Sequence, residues 1–142
     1  MFCVALLLVM LYLHHLADDA DRRVAMNIQG LYAVACVTDM VRAEDWYSAL
    51  LARPADDHPM PTLTQWRNIG TAGIQLILDV AKAGGSVVTI VTPNIEVERD
   101  RLADLGLVIG EISRGGFGAI AEIADQDANR IIIAEPPKGF TG

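Results

Sequence analysis

The chain has 142 residues, enough for one domain and short of two. Hydrophobic residues make up 52 % and charged residues 20 %, a balance that excludes intrinsic disorder. The 18 acids against 11 Lys and Arg leave a net charge of −7 with no basic stripe, which argues against a nucleic-acid partner. Cys3 and Cys36 lie far apart with neither disulfide-framework nor metal-ligand spacing, so a reducing cytoplasm is expected.

Residues 1–13, MFCVALLLVMLYL, form an unbroken apolar run. It is too short to cross a bilayer as a helix, which needs roughly 20 residues. No Lys or Arg precedes it and no small-x-small cleavage site follows it, so it does not match a secretory signal. Three readings stay open for residues 1–25: a start placed too early, with Met26 as the true initiator; a membrane-associating or atypical signal segment; or a helix docked on the domain or on a partner. Membrane association is expected only if this extension is retained. The domain proper is set at residues 26–138, with 139–142 as a tail.

Gly30 to Val37 is short, apolar and β-prone, and reads as a strand. Thr38-Asp39 offers an N-cap for a helix with apolar positions Met40, Ala43, Tyr47, Leu50 and Leu51, stopped by Pro54. Residues 55–61 are expected as a loop. Leu63 to Ile69 and Ile74 to Val80 read as strands flanking a Gly70–Gly73 turn, and Ser86 to Val91 as a strand rich in β-branched residues. Thr92-Pro93 suggests a helix start, with the hydroxyl as cap and proline in the first turn, and Gly106 a stop. Strands are expected at Leu107–Ile112, Phe117–Ile123 and Arg130–Glu135, with turns at Gly115-Gly116 and 125–129.

The order repeats. Val37-Thr38 recurs as Val91-Thr92, and Met40, Tyr47 and Leu50 map to Ile95, Leu102 and Leu105. One half cannot cover its own sheet, so the expected fold is α+β with two βαβββ modules packed together. Each sheet's concave face would line a cleft.

Val37, Asp39, Ala43, Trp46-Tyr47 and Leu50-Leu51 form a V-x-D, Ala, aromatic-pair, Leu-Leu pattern, and Asp125, Asp127 and Asn129 sit in a D-x-D-x-N turn before the last strand. This pattern resembles the vicinal oxygen chelate superfamily, which includes glyoxalase I, bleomycin-resistance proteins and extradiol dioxygenases. Gln126 and Ala128 depart from the family's D-P-D-G-N turn. The resemblance covers residues 26–138 and implies the paired-module fold, a homodimer and a ligand cleft. It does not imply one reaction, since a scaffold of this kind hosts many.

Family enzymes hold a divalent metal with His, Glu or Gln side chains from four strands. Registered by distance from the motifs, those positions fall at Tyr32, Gln75, Ser86 and Ile132. A divalent ion needs several charged or imidazole ligands to replace its water shell. A phenol, an amide, a hydroxyl and a hydrocarbon do not supply them. One-residue slips give Leu31 or Ala33, Gly85 or Val87, and Ile131 or Ile133, which are no better. No metal and no cofactor is therefore expected, and whether the protein is an enzyme is left open.

Tyr32, Trp66, Gln75, Ser86 and Ile132 are the candidate ligand-binding residues. Tyr32 would donate a hydrogen bond, Trp66 would stack on a flat ligand, and Gln75 and Ser86 would supply polar contacts above an Ile132 floor. The plain alternatives are strand packing for Tyr32 and Trp66 and a neighbouring backbone partner for Gln75. Ser86 would then simply begin its strand. Glu122 and Glu135 are the acids best placed to face the cleft, against a solvated position. Cys36 and His58 are expected to be inert. The resemblance implies a cytoplasmic, homodimeric protein that sequesters a hydrophobic or aromatic compound, as bleomycin-resistance-like proteins do. The alternatives are a metal-dependent lyase, isomerase or dioxygenase, and a non-catalytic dimeric interaction module.

Overall fold

The computed structural model describes residues 8–13 and 26–140. Residues 8–13 form a short helical stretch whose six side chains are all exposed. The rest of the 1–25 extension lies outside the described residues. No helix among the described residues is long and apolar enough to cross a membrane.

The first module is β1 (Tyr32–Val37), α1 (Met40–Leu51), β2 (Asp57–Met60), β3 (Leu63–Ile69) and β4 (Ala72–Leu78). The second is β5 (Val87–Val91), α2 (Ile95–Asp104), β6 (Ser113–Gly115), β7 (Gly118–Ala124) and β8 (Arg130–Glu135). Each module builds a four-stranded sheet, ordered β1-β4-β3-β2 and β5-β8-β7-β6. The first and last strands of each module pair in parallel (β1 with β4, β5 with β8) and all others antiparallel. The parallel pairings are what the intervening helices permit, since a parallel neighbour needs a crossover.

Helix α1 starts where expected. The Asp39 side chain accepts from Arg42 N and caps it, and Ala43, Tyr47 and Leu50 recur at helical spacing on the buried face. Ala52 closes the helix in the left-handed region, two residues before Pro54. Helix α2 starts later than expected. The Thr92 N–H donates to Ala134 O, so the chain is still bonded to β8 one residue past the end of β5. Asn94 caps α2 instead, accepting from Glu96 and Val97 N–H groups, and Pro93 precedes the cap.

Two further expectations are corrected. Residues 57–60, expected in a loop, form the edge strand β2, with Asp57 opposite Gln65 and Met60 opposite Leu63. Pro59 is tolerated there because an edge strand leaves one side of its backbone unpaired. Residues 107–112, expected as a strand, form no ladder. Gly110 N makes one bond to Glu122 O, and Ile109 anchors the segment in the core. The strand in this region is the short β6.

Alternation along each strand separates a helix-facing side from an open side. Ala35, Val37, Trp66, Ile74 and Leu76 in the first sheet share one continuous core with Val88, Ile131 and Ile133 in the second, together with Tyr47, Leu50, Ile95 and Leu102 from the helices. The duplication is thus real in packing as well as order, except at Leu105. That residue is 54 % exposed because α2 ends one residue before it.

The modules are joined at the 125–129 turn. Asn129 Nδ2 donates to Cys36 O at 2.7 Å, and its Oδ1 accepts from Gly84 N and Ser86 N at 3.0 Å each. Asp127 accepts from the Thr38 backbone N–H and from its hydroxyl. The turn residues of the second module therefore hold the end of β1 in the first.

Candidate functional site

Strand register decides which candidate residues share a surface. In the first sheet, Tyr32 is paired with Gly73, Val34 with Gln75 and Cys36 with Ile77. Across β3, Gln65 is opposite Gln75 and Leu63 opposite Ile77. These side chains lie on the face away from α1. In the second sheet, Ile132 is opposite Thr89 and Glu122, and Ala134 is opposite Val91 and Ile120. They too lie away from the core.

Tyr32 is half-buried and lies over its glycine partner. A Cβ on Gly73 would come within 2.6 Å of the Tyr32 ring, so the ring occupies the space a side chain would take. Tyr32 also borders a recess of about 120 Å³ shared with Arg67 and Asn68. Gln75 Nε2 donates to Gln65 Oε1 at 3.0 Å, directly across the ladder. The amide pair holds itself in place and leaves Gln75 Oε1 and Gln65 Nε2 without a hydrogen-bond partner among the described residues. Gln65 is a further candidate, absent from the sequence-based set, that the register brings beside Gln75. Centring the β3–β4 hairpin on Gly70-Thr71 would pair Gln65 with Leu76; the register shift between Trp66 and Ile69 is what puts it opposite Gln75.

Trp66 is corrected. It is 0 % exposed, on the helix side of β3 beside Thr64, with its indole N–H donating to Arg53 O at 3.1 Å. Its ring centroid lies 6.3 Å from that of Tyr47 in the core. No ligand on the open face can stack on it. The period-two alternation that puts Gln65 on one face puts Trp66 on the other.

Ser86 sits at the junction between modules. Its hydroxyl accepts from Cys36 N at 3.1 Å and its own N–H donates to Asn129. Its hydroxyl oxygen is thus occupied in joining β1 to the start of β5. Ile132 is half-buried on the open face of β8.

The two acids part company. Glu122 is on the open face next to Ile132 and takes both ends of the Arg130 guanidinium, at 2.5 and 3.1 Å. The Arg130 hydrogen bond holds its carboxyl below the usual range. Glu135 faces the core side instead, where its carboxylate accepts from Ile95 N at 2.8 Å at the start of α2. An anion there complements the helix dipole, so Glu135 is a capping residue and not a cleft acid.

The donor set at the four metal-equivalent positions is thus a phenol, an amide paired to a second amide, a hydroxyl bonded to a backbone N–H, and a hydrocarbon. Among the described residues no group of three or more His, Cys, Asp or Glu side chains converges. His58 Nε2 lies 2.8 Å from Glu44 on an exposed edge, far from this set in the strand order.

The open faces carry exposed apolar side chains: Val34 on β1, Val87 and Val91 on β5 and Ile120 on β7. The larger cavities lie between the modules, lined by both helix-side residues and the β5 residue Val91. One of about 420 Å³ is walled by the end of α1, β5 and α2, and one of about 310 Å³ by β1, the β3–β4 turn and β5.

No family model and no curated protein matches the sequence. Solved structures do match in fold. A glyoxalase/bleomycin resistance protein from Catenulispora acidiphila DSM 44928 aligns over 76 % of this chain and 98 % of its own, at 20 % identity and a TM-score of 0.69. TnmS3, an antibiotic-binding protein from Streptomyces sp. CB03234, aligns over 80 % of this chain and 100 % of its own, at 20 % identity and a TM-score of 0.67. A member of the glyoxalase/bleomycin resistance protein/dioxygenase superfamily from Sphaerobacter thermophilus DSM 20745 aligns over 78 % and 99 %, at 18 % identity and a TM-score of 0.63.

Proposed function

Starting from the paired-module fold of the glyoxalase, bleomycin-resistance and dioxygenase superfamily, which this chain adopts, we propose that the protein binds a hydrophobic or aromatic small molecule on its open sheet faces without a metal ion. The observation that carries this reading is the composition of those faces. Tyr32, Ile132, Ile77 and Leu63 supply apolar and aromatic surface, and the Gln65–Gln75 pair presents one free acceptor and one free donor in a fixed orientation. A mostly apolar wall with a few oriented polar groups is what a ligand site needs. A metal-dependent reaction would need several charged or imidazole donors, and a phenol, one neutral amide oxygen, an engaged hydroxyl and an isoleucine cannot strip the water from a divalent ion.

The same faces support a homodimer. Val87 is 54 % and Val91 65 % exposed, and a second copy laid over the open sheets would bury them and close the site. The antibiotic-binding activity of TnmS3 belongs to that protein, and it makes aromatic antibiotics a sensible first ligand class to try here. The low cysteine content and the absence of a disulfide framework support a cytoplasmic setting.

The test is a thermal-shift and calorimetric screen of planar aromatic compounds on the purified full chain, run with and without chelator, beside Gln75→Leu and Tyr32→Phe. Binding that survives chelator and weakens at least tenfold in Gln75→Leu supports the proposal. A stoichiometric divalent ion with chelator-sensitive turnover would replace it with the lyase, isomerase or dioxygenase reading. A folded dimer that binds no compound would leave an interaction module.

A further inference from the structure

The cavity of about 420 Å³ lies between the modules, walled mostly by helix-side residues, with Val91 of the open face at its rim. Its wall is made by Leu50 and Leu51 at the end of α1, Ile90 of β5, Ile133 of β8, and Glu98 and Arg101 of α2. The volume is within the range of small-molecule sites, which run from roughly 300 to 1,000 Å³.

Its charges are already balanced. Arg101 Nε donates to Glu98 Oε2 at 2.8 Å, Nη1 to Ala49 O at 3.1 Å and Nη2 to Leu50 O at 2.6 Å. The guanidinium therefore neutralises the one carboxylate on the wall while capping the last carbonyls of α1. The Thr92 hydroxyl accepts from Asn94 N at 3.3 Å and is engaged too. An ion placed in the cavity would lose water and find no unpaired countercharge. A neutral apolar molecule would give up only its hydration shell, which is favourable.

We propose that this inter-module cavity is a second ligand site, separate from the Gln65–Gln75 face, that takes a compact uncharged aromatic or alicyclic molecule.

The probes are indole as the neutral ligand, with benzoate and protonated benzylamine as charged counterparts. They are titrated into full-length protein labelled at Ile, Leu and Val methyl groups. Indole should shift Leu50, Leu51, Ile90 and Ile133 methyls, and both ions should bind at least tenfold more weakly. Leu51→Trp should fill the cavity and weaken indole at least tenfold, whereas Gln75→Leu on the open face should leave indole unchanged. Glu98→Gln frees the guanidinium charge and should raise benzoate affinity severalfold without unfolding the chain. Indole shifts confined to open-face methyls such as Ile77 and Ile132 overturn the proposal, as does no binding at all. Benzoate binding the unmodified protein as well as indole does, or failing to gain in Glu98→Gln, also overturns it.

Discussion

The Tyr47 hydroxyl donates to Asp125 Oδ2 at 2.9 Å across 78 residues of sequence, tying helix α1 of the first module to the 125–129 turn of the second. Asp125 is also the acceptor for Asp127 N, Asn129 N and Asn129 Nδ2. Tyr47→Phe keeps the ring in the core beside Trp66 and removes one charge-assisted bond from a buried carboxylate. The expected loss is about 1.5–3 kcal/mol in urea unfolding. A loss below about 0.5 kcal/mol would mean that water replaces the hydroxyl.

The same contact sets a pH dependence. Burial, followed by the Asp125 charge and hydrogen bond, pushes the Tyr47 phenol well above its usual value of 10. The folded state then holds a proton that the unfolded chain releases, so this contribution is complete below pH 10 and is lost as the pH rises beyond it. One such group steepens the decline by about 1.4 kcal/mol per pH unit. Urea midpoints between pH 9 and 11 should fall faster for the unmodified protein than for Tyr47→Phe.

Asn129 is 0 % exposed and makes both of its amide ends work across the module boundary. Asn129→Ala strands the Gly84 and Ser86 N–H groups and the Cys36 carbonyl in the interior. The expected destabilisation is about 3–5 kcal/mol, at the upper end for a single substitution. Asn129→Asp should be no milder, since it sets a second carboxylate against Asp125. Chemical denaturation of the two variants checks both statements.

Ala128 adopts φ 68°, a left-handed conformation costly for any residue with a Cβ, at the position where the resembling family turn carries glycine. Ala128→Gly relieves that cost and gives some of it back as unfolded-state entropy. A net gain of about 0.5–1 kcal/mol is expected, read as a higher melting temperature with an unchanged oligomeric state.

Gly73 holds the position of the candidate tyrosine. A Cβ there would meet the Tyr32 ring at 2.6 Å and Trp66 O at 2.7 Å. Gly73→Ala must turn the Tyr32 ring outward and also displace the β3 backbone at Trp66, at a cost of about 3 kcal/mol, the upper end for overpacking. The Tyr32 ring resonances should move, and aromatic-ligand binding on the open face should weaken together with them.

The elements that local chemistry controls were legible from sequence. A β-branched run, a capping aspartate and apolar residues at helical spacing identify β1, α1, β5 and most of β3, β4 and β8 without knowledge of their neighbours. The Val37-Thr38 and Val91-Thr92 repeat even implied the pairing of two modules. Three features depended on residues distant in the chain. Trp66 and Gln65 are adjacent in sequence, and only hairpin register with β4 decides which faces the core. Glu135 reads as a cleft acid until α2 packs its first turn beside it. Residues 57–60 carry no periodic signal and become a strand only because β3 offers a free edge. Side-chain type is local, but the side of a sheet on which a side chain lies, and the partner that uses up its hydrogen bonds, are set by contacts that exist only after folding.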